Sequence, residues 1–227
     1  METLTSIPFA LDADRFIAQA HVRPGSSDAT ELSALVELAK EVGCPKAAYA
    51  VCFVTGRDSD EVRVEDACFR SRTLAHNLKS VERVFPILAT CGHEMDERAP
   101  HRGDMLMEFW WDLIKAHLLA AASAHLSDHL HRRFRLGKTA IMRPGSGDAS
   151  VWPIEQQKDL FALLGNVEEE IGVRLTDSFL MVPNKTTSGL MYPTETDFRS
   201  CGVCHRENCP GRHAAFNKEL WEAIGHD

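Results

Sequence analysis

Positive charge is scarce in this sequence of 227 residues. Lys and Arg total 25 against 33 Asp and Glu, which gives a formal net charge of -8. A nucleic-acid-binding protein normally presents a basic face. The densest basic cluster here, Arg132, Arg133 and Arg135, instead closes a predicted helix, where cations suit the helix dipole. The composition therefore argues against nucleic acid as a partner.

Long apolar runs are absent from the sequence as well. No run approaches the roughly 18 residues that a membrane span requires. The first eight residues, Met1 to Pro8, have neither the basic stretch nor the apolar core of a secretory signal. We expect a cytoplasmic protein without a membrane partner. In that compartment, seven cysteines are more consistent with thiols and metal ligands than with disulfides.

Common catalytic motifs are also missing. The sequence contains no Ser-His-Asp pattern and no His-Glu-x-x-His helix. Gly145-Ser-Gly147 lacks the strand-loop-helix context of a nucleotide-binding loop, so it does not indicate such a site. The sequence therefore does not indicate a hydrolase of these types or a nucleotide-binding loop.

The periodicity of apolar residues predicts an α+β fold. Residues 104–135 form the strongest helical segment, with Asp104 as the cap and apolar residues at helical spacing. Apolar, β-prone residues predict strands over 47–55, 62–69 and 84–90. We divide the chain into an α+β domain of residues 1–195 and a cysteine-rich, metal-binding tail of residues 196–227.

The tail contains three cysteines in C-x2-C-x4-C order, Cys201, Cys204 and Cys209, in a short loop with Gly202 and Pro210. Such a loop can direct several thiolates to one centre, and zinc or an iron–sulfur cluster is the usual occupant. A fourth ligand is needed for a closed site. For a cluster the first candidate is Cys91, at a predicted strand end.

Other ligand sets remain open. Behind Cys91 come Cys44, Cys52 and Cys68 as alternative fourth thiolates. For zinc, His213 completes a C-x2-C-x4-C-x3-H set, and a zinc ion there would pin the tail without redox chemistry.

The segment Gly172 to Gly189 resembles a known signature. It reads Gly-Val-Arg-Leu-Thr-Asp-Ser-Phe-Leu-Met-Val-Pro-Asn-Lys-Thr-Thr-Ser-Gly, which is similar to the strand and Ser-Gly turn of the activation domain of cobalamin-dependent methionine synthase. The helix of residues 104–135, the Pro144-Gly145 loop before Trp152-Pro153, and the phrase Ala89 to Glu94 resemble further parts of that family. The resemblance extends over roughly residues 30–213 and is strongest from 137 onward.

The resemblance implies a twisted antiparallel sheet flanked by helices. It also implies S-adenosylmethionine binding near Arg143, Pro144 and Gly145, with Tyr192 or Phe198 as a substitute for a family tyrosine contact. Two family positions differ, since Ile141 stands where the family has arginine and Ser146 where it has tyrosine.

The segment Pro183 to Gly189 is predicted to be a loop. Its Lys185, Ser188 and Gly189 could bind a phosphate or a carboxylate. The resemblance places this loop close to the cofactor-binding face, which implies contact with a corrinoid or its partner protein. An ordinary hairpin with Gly189 in a turn is the other interpretation.

The function implied by the resemblance is reductive reactivation, by remethylation, of a corrinoid protein such as a cobalamin-dependent methionine synthase. A [4Fe–4S] cluster held by Cys201, Cys204, Cys209 and Cys91 would supply the electron. The sequence has no Asp-x-His-x-x-Gly motif, so cobalamin is expected to come through the partner protein. The alternatives are a non-catalytic, zinc-stapled module that binds a corrinoid protein or handles its cofactor, and a methyltransferase acting on another acceptor.

Overall fold

The computed structural model describes residues 1–100 and 103–225. Its α-helices are α1 (Ala13–Gln19), α2 (Ser27–Val42), α3 (Arg72–Asn77), α4 (Glu94–Glu97), α5 (Met105–Phe134), α6 (Gln157–Leu164), α7 (Val167–Ile171) and α8 (Lys218–Ile224). Short 3-10 helices cover Ile154–Gln156 and Ser200–Val203. None of the helices in the described part of the chain is both long and apolar enough to cross a membrane.

The β-strands form one antiparallel sheet and a separate hairpin. The sheet contains β1 (Glu2–Leu4), β2 (Lys46–Tyr49), β3 (Cys52–Arg57), β4 (Glu61–Val64), β5 (Ala67–Arg70), β6 (Arg83–Thr90), β7 (Thr139–Met142) and β10 (Thr186–Pro193). The hairpin pairs β8 (Arg174–Leu175) with β9 (Met181–Val182).

Strand β6 is the centre of the sheet. Along one edge it pairs with β2 and β3, and along the other with β10, which in turn pairs with β7. Its residues alternate between two cores because successive strand side chains point to opposite faces. Phe85 and Ile87 pack toward α5, whereas Val84 and Leu88 join the core beneath α3 and α6. The predicted fold, an antiparallel sheet flanked by helices, is thus confirmed.

Helix α5, of 30 residues, packs against α2 with its N-terminal half and against one face of the sheet with its C-terminal half. The Asp104 side chain accepts hydrogen bonds from the backbone N–H groups of Leu106 and Met107, which caps the first turn as predicted. Its fully buried positions recur about every four residues and form one apolar stripe, of which only the last three residues face the sheet: Trp110, Ile114, Leu118, Ala122, Leu126 and Leu130.

Two predicted strands are each divided in the structure. Residues 47–55 break at Ala50 and Val51 between β2 and β3, and residues 62–69 fold into the β4–β5 hairpin. In the hairpin, Glu65 adopts φ +48°. The turn residues Glu65 and Asp66 include no glycine or proline, so the sequence does not predict a turn there. Residues 47–54 are apolar without a break, and only Glu65 and Asp66 interrupt the alternation of residues 62–69, which explains why the pattern alone predicts single strands.

Candidate functional site

The loop after β7, residues 143–148, is shaped by close backbone contacts. Gly145 adopts φ +70°, and its N–H donates a hydrogen bond of 2.8 Å to the carbonyl oxygen of Trp152. A Cβ at this position would lie 2.8 Å from Cβ of Ile154, so only glycine fits without rearrangement. This contact holds Pro144 and Gly145 against the start of the segment that leads into α6.

A cavity of about 460 to 540 Å³ lies on each side of this loop. The first, of about 540 Å³, is called the hairpin cavity because the turn between β8 and β9, together with β9, forms one wall. Its lining includes the predicted residues Arg143, Pro144, Gly145 and Ser188, together with Gln157, Thr176, Ser178, Leu180, Val182 and Thr187. The structure therefore brings four of the seven predicted cofactor-binding residues together.

Arg143 is the cation of this cavity. Its Nε donates a hydrogen bond of 3.1 Å to Oγ1 of Thr187 on β10. Within the part of the chain that the structure describes, no carboxylate lies within 4.0 Å of its guanidinium nitrogens. Burial lowers the pKa of Arg143 from its usual value, yet a guanidinium stays charged at neutral pH. An anionic ligand group would satisfy this side chain.

A polar chain lines the floor of the hairpin cavity. Ser188 Oγ donates to Oε1 of Gln157 at 3.1 Å, and Gln157 Nε2 donates to the carbonyl oxygen of Phe179 at 3.1 Å. Gln157 was not among the residues predicted for the site. The sequence feature that could have identified Gln157 is its helical spacing from Leu160, Phe161 and Leu164, which places a polar side chain on the buried face of α6.

Gly189 contributes to the site by being small. It lies in the middle of β10, where a Cβ would meet the carbonyl oxygen of Met142 at 2.8 Å and Cγ of Arg143 at 3.0 Å. The glycine thus leaves room for the aliphatic stem of Arg143 beside the strand. The predicted loop of residues 183–189 is wrong from Thr186 onward, because these residues pair with β6 as a regular strand.

Two predicted contacts lie away from both cavities. Lys185 forms an ion pair of 2.6 Å with Asp112 of α5, so its charge is already matched. Tyr192 is fully buried in the core, where loss of water contact raises the pKa of its hydroxyl well above the usual range. Neither side chain lines a described cavity. For Tyr192 the reason is that β10 continues to Pro193 and places residue 192 on its core face.

The second cavity, of about 460 Å³, is called the tail cavity because residues of the cysteine tail close it. Arg143 and Ser146 line it from the loop, and Ile141 and Met191 line it from the sheet. Its remaining lining comes largely from the tail and from polar residues near the start of β7: Lys138, Thr196, Asp197, Phe198, Arg199, Cys201 and His213. Arg143 is thus shared by the two cavities.

The cysteine tail is organised around Arg212. The guanidinium of Arg212 donates hydrogen bonds of 2.7 to 3.2 Å to four backbone carbonyl oxygens, those of Cys201, Cys204, Arg206 and Ala214. A single cation therefore holds the loop closed through its backbone.

Among the described residues, no three His, Cys, Asp or Glu side chains are placed to hold one metal ion. Cys91 is fully buried in the core between α2 and α5, and burial raises the pKa of its thiol to about 12. Cys91 as the fourth ligand stays a prediction.

Comparisons with known proteins agree with this architecture. Residues 126–211 match the family model described as the activation domain of vitamin B12-dependent methionine synthase. Among solved structures, the MetH reactivation domain bound to AdoHcy is similar, with a TM-score of 0.58 and 15% sequence identity. That similarity covers 84% of this chain and 72% of the other. No curated protein matches the sequence.

The family match begins in the last turns of α5 and ends within the cysteine tail. It includes the loop of residues 143–148, the hairpin cavity and β10, so the matched segment coincides with the candidate site. In its fold and in the sequence of residues 126–211, this chain is like the activation domain of cobalamin-dependent methionine synthase.

Proposed function

We propose that this chain supports the reductive reactivation, by remethylation, of a corrinoid protein such as a cobalamin-dependent methionine synthase. The observation that carries the proposal is the guanidinium of Arg143, which has no carboxylate partner among the described residues and is located in the segment that matches the activation-domain family. The similar solved domain is bound to AdoHcy, which supports S-adenosylmethionine as the ligand of this chain.

The roles of the residues follow from their chemistry. Arg143 would pair with the carboxylate of S-adenosylmethionine, and Thr187 would hold the guanidinium in place. Pro144 and Gly145 would present the backbone of the loop to the ligand, while Ser188 and Gly189 keep β10 in register behind it. Bound S-adenosylmethionine supplies an electrophilic methyl group; the protein supplies position and charge.

The partner in this proposal is a protein that carries the corrinoid. Two large apolar side chains at the rim of the hairpin cavity, Leu180 and Val182, are 60% and 36% exposed. A docked corrinoid protein would cover them and exclude water from the cavity. Cobalamin would thus reach this chain through its partner, in the cytoplasm.

The cysteine tail remains a separate functional part in this proposal, residues 196–227 beside the domain of residues 1–195. The predicted iron–sulfur cluster or zinc ion at Cys201, Cys204 and Cys209 stays a prediction. No step of the proposed reaction is assigned to it.

Calorimetry with S-adenosylmethionine tests the proposal. Arg143→Ala should weaken binding by about 1.5–3 kcal/mol, because a hydrogen-bonded charge pair is lost, which corresponds to roughly tenfold or more in Kd. Arg15→Ala, which removes an exposed arginine of α1, is the matched control and should bind like the wild type. Equal affinity in the wild type and Arg143→Ala would exclude Arg143 from the site.

Methyl transfer tests the second half of the proposal. Isotope from the labelled methyl group of S-adenosylmethionine should appear on a corrinoid protein when this chain and a reductant are present. Transfer without this chain, or label on a different acceptor, would contradict the proposed function.

A further inference from the structure

Cys201 and Cys204 lie at the two ends of one tight turn. The backbone N–H of Cys204 donates a hydrogen bond of 3.3 Å to the carbonyl oxygen of Cys201 across the 3-10 helix Ser200–Val203. A turn closed between residues i and i+3 holds their Cα atoms within about 7 Å. Disulfides span Cα separations of about 4.4–6.8 Å. The backbone therefore already holds this pair near disulfide distance.

The two thiols have different access to solvent. Cys201 is half-buried and lines the tail cavity, and its Sγ accepts a hydrogen bond of 3.5 Å from the backbone N–H of His213. Cys204 is 7% exposed, and its Sγ lies 3.5 Å from where a Cβ of Gly147 would be. An external disulfide can reach Cys201 through the cavity, whereas Cys204 is shielded and placed to react second.

Arg212 keeps the turn closed from the opposite side. Its guanidinium donates to the carbonyl oxygens of both Cys201 and Cys204, at 3.2 and 2.9 Å. Because these bonds involve only backbone atoms of the two cysteines, the loop keeps its shape when the sulfurs change partners.

We propose that Cys201 and Cys204 form a reversible dithiol–disulfide couple in the wall of the tail cavity. The oxidant is a small-molecule disulfide. The thiolate of Cys201 attacks one of its sulfurs and releases one thiol, and Cys204 then displaces the second thiol from the mixed disulfide. Two thiols of the protein lose two electrons and two protons, and the small disulfide is reduced to two thiols.

The couple regulates the loop that carries Arg143. In the dithiol form, Cys204 packs against Gly147, and His205 Nδ1 lies 3.4 Å from Oδ2 of Asp148. Turning Cys204 Sγ toward Cys201 removes it from that loop and changes the wall of the cavity that Arg143 lines. This regulation rests on the proposed function, since it assumes that the cavities around Arg143 bind S-adenosylmethionine.

Peptide mapping after oxidation tests the couple directly. Trypsin cleaves after Arg199, Arg206 and Arg212, so Cys201 and Cys204 share one peptide and Cys209 lies in the next. In glutathione buffers of increasing oxidised fraction, the peptide of residues 200–206 should lose two hydrogen atoms without linkage to residues 207–212. Added reductant should restore it.

Three variants sharpen the test. Cys204→Ser and Cys201→Ser should each abolish the internal disulfide, and either one suffices if the other does not fold. Cys68→Ser, at an exposed position of β5, should leave it unchanged. Cross-linking of residues 200–206 to 207–212, or a stable glutathione adduct alone, would overturn the pairing. Stoichiometric iron or zinc in anaerobically purified protein would also overturn it, because those thiolates would be metal ligands.

Calorimetry on both forms tests the regulatory part. The disulfide form should bind S-adenosylmethionine at least about fivefold differently from the dithiol form, the lower end of typical coupling between sites. Equal affinity in both forms would overturn the regulation. Absence of binding to either form would overturn the proposed function and with it the regulation, while the peptide map still decides whether the couple exists.

Discussion

Gly189 shows how a single residue can place a functional side chain. It lies where the backbone of Met142 and the stem of Arg143 approach β10, at distances that leave no room for a Cβ. Gly189→Ala should therefore lower the free energy of unfolding by about 1–3 kcal/mol, as overpacking usually does. Urea unfolding followed by circular dichroism measures this change.

Gly137→Ala is the matched control for that substitution. Gly137 is exposed, and a Cβ there would have no neighbour within 4 Å. Its free energy of unfolding should stay within about 0.5 kcal/mol of the wild type. If Gly189→Ala were equally neutral, the strand would have room to shift and the close approach would have no energetic weight.

Residues of the site differ in how well the sequence identifies them. Arg143, Pro144 and Gly145 are predictable because they are neighbours in a recognisable loop. Gln157 and Thr187 join the same cavity from α6 and β10, far apart in the sequence. Lys185 and Tyr192 were predicted as contacts, but an ion pair and the inner face of a strand place them elsewhere.

At the scale of elements, the N-terminal half of α5 anchors the segment before β10. The buried side chain of Lys115 donates to Oδ1 of Asp96 at 2.5 Å and to Oδ1 of Asn184 at 2.6 Å. Lys115→Met should cost about 1–3 kcal/mol of unfolding free energy, because it leaves both acceptors without this donor. Thermal unfolding or urea titration measures the loss.

Lys40→Met serves as the comparison for the helix anchor. Lys40 pairs with Glu37 on the surface of α2, where both side chains are largely exposed. Exposed pairs contribute about 0–1 kcal/mol, so this variant should be nearly neutral. A loss as large as that of Lys115→Met would show that the effect comes from removing any lysine rather than from the buried network.

The loop of residues 143–148 should also respond to acid. The pKa of Asp148 lies below its usual value, chiefly because the hydroxyl of Ser150 donates to it at 2.7 Å, with His205 adding to the shift. A depressed carboxyl pKa stabilises the fold above its unfolded-state value of about 4, and this contribution is lost as pH falls through the lower folded value.

Asp148→Asn should therefore be less stable than the wild type near neutral pH, and the difference should become smaller at a pH below about 4. Urea unfolding midpoints at the two pH values measure this decrease. Ser150→Ala removes the main hydrogen bond and should reproduce part of the neutral-pH loss. A difference that is the same at both pH values would contradict the assignment.

At the scale of the whole molecule, the tail and the sheet share one core. Val203 and Ile224 of the tail are buried in the same cluster as Leu88 and Leu190 of the sheet. We expect a single unfolding transition, with circular dichroism and alkylation of Cys204 reporting the same midpoint in urea. Two separated midpoints would show that residues 196–227 unfold independently.

Ile224→Ala extends that prediction. Ile224 is 8% exposed, and its truncation should cost about 2–5 kcal/mol while moving both probes together. Glu222→Ala, on the solvent face of α8, should leave the midpoint nearly unchanged because its pair with Lys218 is exposed.

The sequence by itself determined the features that depend on neighbouring residues. These include the N-terminal cap of α5 and its apolar stripe with a spacing of about four residues. They also include the Pro144-Gly145 loop, the family resemblance and the density of cysteines in the tail. They are readable because local spacing and local backbone preferences create them.

Only the tertiary structure decided which of these features meet. It placed Arg143 between two cavities, buried Cys91 in the core between α2 and α5, and set Cys201 in the wall of one cavity with Cys204 behind it. The physical reason is that burial and pairing are set by residues distant in sequence. The same thiol is a ligand, a redox group or an inert core residue according to what packs against it.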